Sequence, residues 1–184
     1  NLPDSIWFHW HAHPEVLFAT IIIQSAYLLG VGPIREKYRL SERHSPEKTL
    51  SFSCGVLLIF LSLSSPLHIL SDHYLFSAHM VQHVIITLIA PPLLIIGTPG
   101  WLISPIFQKK PILNTFKLIF SPLIAIIFFN FVFSIWHIPA LYELSVKYHW
   151  VHVSEHILFV IAAIIMWWPL CSQISEVPRL IYPL

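Results

Sequence analysis

The stretch YLFSAHMVQHVIITLIAPPLLII, Tyr74 to Ile96, decides the fold class, because its 23 residues include no Asp, Glu, Lys or Arg. At 1.5 Å per residue, a helix of that length is about 34 Å long, enough to cross a hydrocarbon core of about 30 Å. Working outward, four more stretches qualify: about Val16–Val31, Leu50–Leu67, Leu118–Ile138 and Trp150–Leu170. The expected fold is all-α, a polytopic transmembrane helix bundle with about five spans. Pro14, Pro33, Pro46, Pro111, Pro139 and Pro169 mark the expected span boundaries, and Pro91-Pro92 predicts a kink or early unwinding inside the third span. No repeat, low-complexity linker or composition shift divides the chain, so residues 1–184 are read as one domain, with a His-rich extracytoplasmic segment over 1–15.

Composition agrees with this reading. The chain has 184 residues, 56% hydrophobic and only 10% charged, too few charges for a polar shell unless lipid covers much of the surface. A formal net charge of +1 excludes a nucleic-acid binder that works by phosphate neutralisation. Two cysteines, Cys54 and Cys171, cannot build a disulfide framework or a thiolate cluster.

Basic residues set the expected topology. Arg35, Lys37, Arg39, Arg43 and Lys48 lie between spans one and two, Lys109, Lys110 and Lys117 between three and four, and Arg179 after five. The positive-inside rule puts these in the cytoplasm and the N-terminus outside, with Lys147 the one basic residue on the outer side. On that topology eleven of the twelve histidines fall on or just beneath the outer face, and only His44 lies inside. Trp7, Trp10, Trp136, Tyr142 and Trp150 share the outer side, as an aromatic belt would.

His79 and His83 stand four apart, as do His152 and His156, so each pair shares one face of its helix. His83 is placed about 14 Å and His156 about 9 Å below the start of its span, similar depths on two helices. Ionisable groups at such depth generally point inward and carry function. The expected metal site therefore has His79, His83, His152 and His156 at its core, with His137 adjacent. His9, His11 and His13 alternate and would stand on one side of an extended segment, as further candidate ligands. His68, His73 and His149 are read as interfacial or hydrogen-bonded residues, and Asp72, Glu155 or Gln82 as groups that could orient the imidazoles. Imidazole suits zinc, copper, iron and nickel, whereas magnesium and calcium prefer oxygen. The order His152-Val153-Ser154-Glu155-His156 departs from the HExxH of zinc proteases, which weakens a protease reading.

Several stretches together carry a resemblance. They are Ser77-Ala78-His79-Met80-Val81-Gln82-His83, then Ala90-Pro91-Pro92-Leu93-Leu94-Ile95-Ile96-Gly97-Thr98-Pro99, Trp136-His137-Ile138-Pro139-Ala140-Leu141-Tyr142, and His152 through Glu155-His156, Phe159 and Trp167-Trp168-Pro169. Ser65-Pro66-Leu67 ahead of Asp72 also fits. In this order, over nearly the whole chain, they resemble the CtaG family of cytochrome c oxidase assembly factors, the kind linked to caa-type oxidases. The resemblance implies a multi-pass protein of the bacterial plasma membrane that helps an oxidase acquire copper, and it supports a metal site at His79, His83, His137, His152 and His156. It also implies copper rather than zinc, since nitrogen ligands alone permit either. The family looks seven-helical, so the chain, ending at Leu184 where a sixth span would start near Arg179, is expected to lack C-terminal spans.

The resulting expectation is a non-enzymatic copper-binding assembly factor whose partners are cytochrome c oxidase subunits and the lipid bilayer, with homo-oligomerisation left open. Two rivals stand beside it. A b-type membrane cytochrome would ligate haem through histidines on facing helices. A copper importer would need polar residues continuing through the inner half, which offers mainly Ser51, Ser53, Asn130 and the cysteines.

Overall fold

The computed structural model describes residues 10, 13–41, 44–73 and 75–174, the side chains of 72 and 73 excepted. The regular elements among them are all helical, in agreement with the all-α expectation. Trp7, His9, His11, Arg43, the side chains of Asp72 and His73, and the expected start of a sixth span lie outside the described residues. The chain divides into two compact units, Asn1–Gly97 and Thr98–Leu184.

In the first unit, α1 (Pro14–Leu29) passes through a π turn at Gly30–Ile34 into α2 (Arg35–Tyr38). Then come α3 (Pro46–Ser64), α4 (Pro66–His73) and α5 (Phe76–Val84), and a π turn at Ile85–Ile89 leads into α6 (Ala90–Gly97). Pro14 and Pro46 open their helices, where a missing N–H costs no hydrogen bond. Two expectations about prolines need correction. Pro33 does not end the first span, which runs to Tyr38, and Pro91-Pro92 does not unwind the third, which runs to Gly97. In the first span the π turn contains the proline and in the third it directly precedes the pair; the widened ladder accommodates a ring that would strike a carbonyl one turn earlier.

Close backbone approach joins α3 to α6. A Cβ on Gly55 would sit 2.9 Å from Leu94 Cγ, and one on Gly97 would sit 2.7 Å from both the Lys48 carbonyl oxygen and Phe52 Cα. Polar bonds among α1, α3 and α6 reinforce the packing, as small and hydroxylated residues do in lipid, where apolar burial alone gives little drive. Ser51 donates to the Leu93 carbonyl at 2.8 Å, Gln24 Nε2 to Ser53 Oγ at 2.9 Å, and Tyr27 to the Gly97 carbonyl at 2.8 Å.

The second unit contains α7 (Gly100–Ile103), a 3-10 turn at Ser104–Gln108, α8 (Lys110–Ile119), α9 (Pro122–Trp136), α10 (Pro139–Lys147) and α11 (His149–Cys171). The fourth span does not run unbroken from Leu118, as its apolar pattern predicts. Instead α8 and α9 are separate helices bent by 61°. Ser121 takes extended backbone angles, as a residue before proline is pushed to do, and Pro122 starts a new helix. Pro169 is another correction, since it lies inside α11, which continues to Cys171.

The described chain thus has four helices long and apolar enough to span a membrane, or five if the bent α8–α9 pair counts as one span. Ile22, Phe18, Leu123 and Trp150 are more than 60% exposed, which suits lipid contact and would be costly in water.

Candidate metal centre

Each unit gathers histidines locally, by different means. In the first, Pro66 opens α4 and Ser65 caps it, its hydroxyl accepting from the Leu67 N–H at 3.2 Å. His68 and Ser71, three apart, turn the same face of α4 toward α5. Ser71 Oγ lies 3.2 Å from His79 Nδ1, and Gln82 Nε2 lies 3.1 Å from His68 Nδ1. The rings of His79 and His83 stand with centroids 4.1 Å apart, tilted by 59°. His68, Ser71, His79, Gln82 and His83 are all buried, Gln82 completely. His13, just ahead of α1, reaches this group through Nε2, 3.1 Å from His68 Nε2, and its Nδ1 lies 3.3 Å from the Glu15 carboxylate.

A π turn begins immediately beyond His83 and Val84. Thr87 donates to the His83 carbonyl at 2.5 Å, meeting part of the hydrogen-bonding need of the widened ladder.

In the second unit the histidines lie among aromatic rings. His137 follows the last turn of α9, and its Nδ1 donates to the Phe133 carbonyl at 2.6 Å. Its ring stacks on Phe133 with centroids 4.4 Å apart and lies 6.1 Å from Phe159 at an interplanar angle of 17°. That bond caps the helix and also fixes the tautomer, placing the ring's basic nitrogen at Nε2. His152 and His156 meet edge to face, centroids 4.4 Å apart, as their spacing on α11 predicts. His156 and Glu155 are buried, whereas His149 is exposed and packs against Trp150.

The helical spacing of both pairs is therefore as expected. His68 is the residue that sequence reasoning undervalues. Its position reads as the flank of a loop, but α4 occupies that position and buries it. The signal is present in Ser65-Pro66, a cap followed by proline at the first helical position. Gln82, expected as an orienting group, does contact an imidazole, that of His68.

His44 lies apart from all of these, with Nε2 2.6 Å from Thr49 Oγ1 and its ring near Tyr27. Burial, followed by the charges of Arg35 and Lys48, holds its pKa below the ordinary histidine value.

The donor sets are imidazole nitrogen with hydroxyl, amide and carbonyl groups on the opposite ring atoms, a chemistry that fits copper or zinc and not a hard cation. No curated protein and no solved structure matches the chain. A model of the cytochrome c oxidase caa3 assembly factor family, Caa3_CtaG, matches residues 25–184, which takes in both histidine pairs as well as His68 and His137. The match covers well over half of the sequence, and the chain belongs to the cytochrome c oxidase caa3 assembly factor family.

Proposed function

We propose that this protein binds copper as cargo through His79 and His83 in the first unit and His152 and His156 in the second, with His137 assisting, and delivers it to an oxidase subunit without catalysing a reaction. The family is one of oxidase assembly factors, so oxidase subunits are its partners. The observation that carries the copper reading is the buried His79/His83 pair, two rings 4.1 Å apart, with His79 Nδ1 engaged by Ser71. With Nδ1 of His79 in that contact, Nε2 is its proposed ligand atom, as it is for His137, whose Nδ1 meets the Phe133 carbonyl. Few protein ligands and exchangeable remaining positions suit an ion that must be handed on, whereas a closed four-ligand site retains its metal. The same close spacing leaves no room for a porphyrin between the two rings of one pair, so a cytochrome would have to ligate haem through histidines of different helices.

The location belonging to this reading is the bacterial plasma membrane, with the N-terminus outside and the Arg35 to Lys48 loop in the cytoplasm. Elemental analysis and an optical spectrum of the purified protein test the cargo. Copper without a Soret band is expected, while stoichiometric zinc retained after copper loading, or a Soret band, overturns the reading. A single-cysteine variant at Ser41, with Cys54 and Cys171 replaced, tests the topology. Its labelling by an impermeant reagent in intact cells would reverse the orientation.

A further inference from the structure

One arrangement in the first unit is not used by His79 and His83. His13 Nε2 and His68 Nε2 lie 3.1 Å apart, with their rings at 79°. The opposite nitrogens each lie near a polar group, His13 Nδ1 within ion-pair distance of the Glu15 carboxylate at 3.3 Å and His68 Nδ1 at 3.1 Å from Gln82 Nε2. Two imidazole nitrogens that face each other so closely share either the N–H of one neutral ring, as a hydrogen bond, or a metal ion.

The proton arrangement is self-consistent. Gln82 donates to His68 Nδ1, so His68 carries its proton on Nε2 and donates it to His13 Nε2, while His13 Nδ1–H faces Glu15. In it Gln82 Oε1 is buried with no hydrogen-bond partner. Turning the amide by 180° reverses the bond to His68 and puts the amide nitrogen, in place of the oxygen, at that buried position. Oε1 then accepts from His68 Nδ1–H, and both Nε2 lone pairs point toward the same position. The proton moves between the two nitrogens of one ring, so total protonation is unchanged.

Geometry selects the ion. With metal–nitrogen bonds of about 2.0 Å, a 3.1 Å separation gives a nitrogen–metal–nitrogen angle of about 100°, which suits tetrahedral or cis square-planar coordination and excludes a linear two-imidazole ion. A carboxylate near the far nitrogen of a ligating histidine is a recurrent device that fixes the ring and raises its basicity, and the Glu15 carboxylate lies within ion-pair distance of that nitrogen of His13.

We infer that His13 and His68 form a two-imidazole site for a divalent first-row transition ion, Cu²⁺ or Zn²⁺, with Glu15 and Gln82 orienting the rings. The His13 side chain is 23% exposed and His68 is buried, so the ion binds at the margin of the unit and not in its interior. The remaining coordination positions fall to water or an incoming ligand. This site goes beyond the proposed function and does not depend on copper binding at His79 and His83.

The test is Cu²⁺ titration of the full chain in detergent, read by bound equivalents and by electron paramagnetic resonance. A signal with hyperfine coupling to two nitrogens is expected, and His13→Gln and His68→Gln should each remove one equivalent. Gln82→Leu should weaken that equivalent about 10-fold. Unchanged equivalents in both histidine variants overturn the inference. Because His68 is buried, a second measurement uses the unaltered chain: Zn²⁺ should protect both His13 and His68 from diethyl pyrocarbonate, and equal modification of His13 with and without Zn²⁺ also overturns it. A His79→Ala, His83→Ala variant separates this site from the proposed function. The two-nitrogen signal should persist there, and its loss with His13 and His68 intact would count against the site. If instead the unaltered chain binds no copper beyond this equivalent, the proposed function fails and this inference stands.

Discussion

The two units hold the same residue type by opposite means. In the first, imidazoles connect through polar side chains, Ser71 to His79 and Gln82 to His68 to His13. In the second, His137 lies against Phe133 and near Phe159, and its Nδ1 bonds to a backbone carbonyl. A hydrogen bond fixes which nitrogen carries the proton as well as where the ring lies. Stacking fixes the ring plane and leaves the tautomer to the backbone. The first arrangement is therefore sensitive to single polar substitutions and the second to loss of aromatic volume.

Phe159→Ala should give the largest effect. Phe159 is completely buried and lies 5.4 Å from Phe133, so its removal opens a cavity worth about 3 kcal/mol and loosens the stack on which His137 rests. A large drop in thermal stability in detergent checks this, and a near-neutral result would mean that aromatic packing does not hold the second set in place.

Next come the proposed ligands. His83→Ala and His152→Ala should each weaken copper binding on the order of 100-fold and lower oxidase maturation, with protein level near normal. Competition titration against a chelator reads the affinity. Full copper occupancy in the double variant would place the cargo elsewhere.

Ser71→Ala should be milder and should separate the units. It removes the hydroxyl from His79 Nδ1 and should weaken copper binding about 10-fold through the first pair, leaving stability almost unchanged. An effect equal to that of His83→Ala would mean that the hydroxyl does more than orient the ring.

His44→Ala should be the smallest, with no effect on copper. Its folded pKa lies below the ordinary value, so on acidification the unfolded chain takes up a proton at about pH 6.5 that the folded chain accepts only lower down. Stability is therefore lost as pH falls through that window, and His44→Ala should flatten the slope. Melting temperatures across pH 5–7 would show it.

Much of the fold is legible in the residues alone. Apolar length identifies the spans, and residue spacing pairs His79 with His83 and His152 with His156, because helical period acts locally and needs no partner helix. Proline is ambiguous for the same local reason. Its ring blocks an α turn, but whether the chain breaks, as at Ser121-Pro122, or widens into a π turn, as before Pro91-Pro92, depends on what surrounds the affected carbonyls.

The helical class, the family and the i,i+4 histidine pairs are thus written in the order of residues. Helix packing was needed to bury His68 between Gln82 and His13, to bring Ser71 onto His79, and to require that Gly97 remain without a side chain beside Phe52. These contacts join residues on different helices, and no local period encodes a hydrogen bond from α4 to α5 or from His13 to His68. They exist because membrane-embedded polar groups must find partners within the protein, and the packed helices determine which partners are within reach.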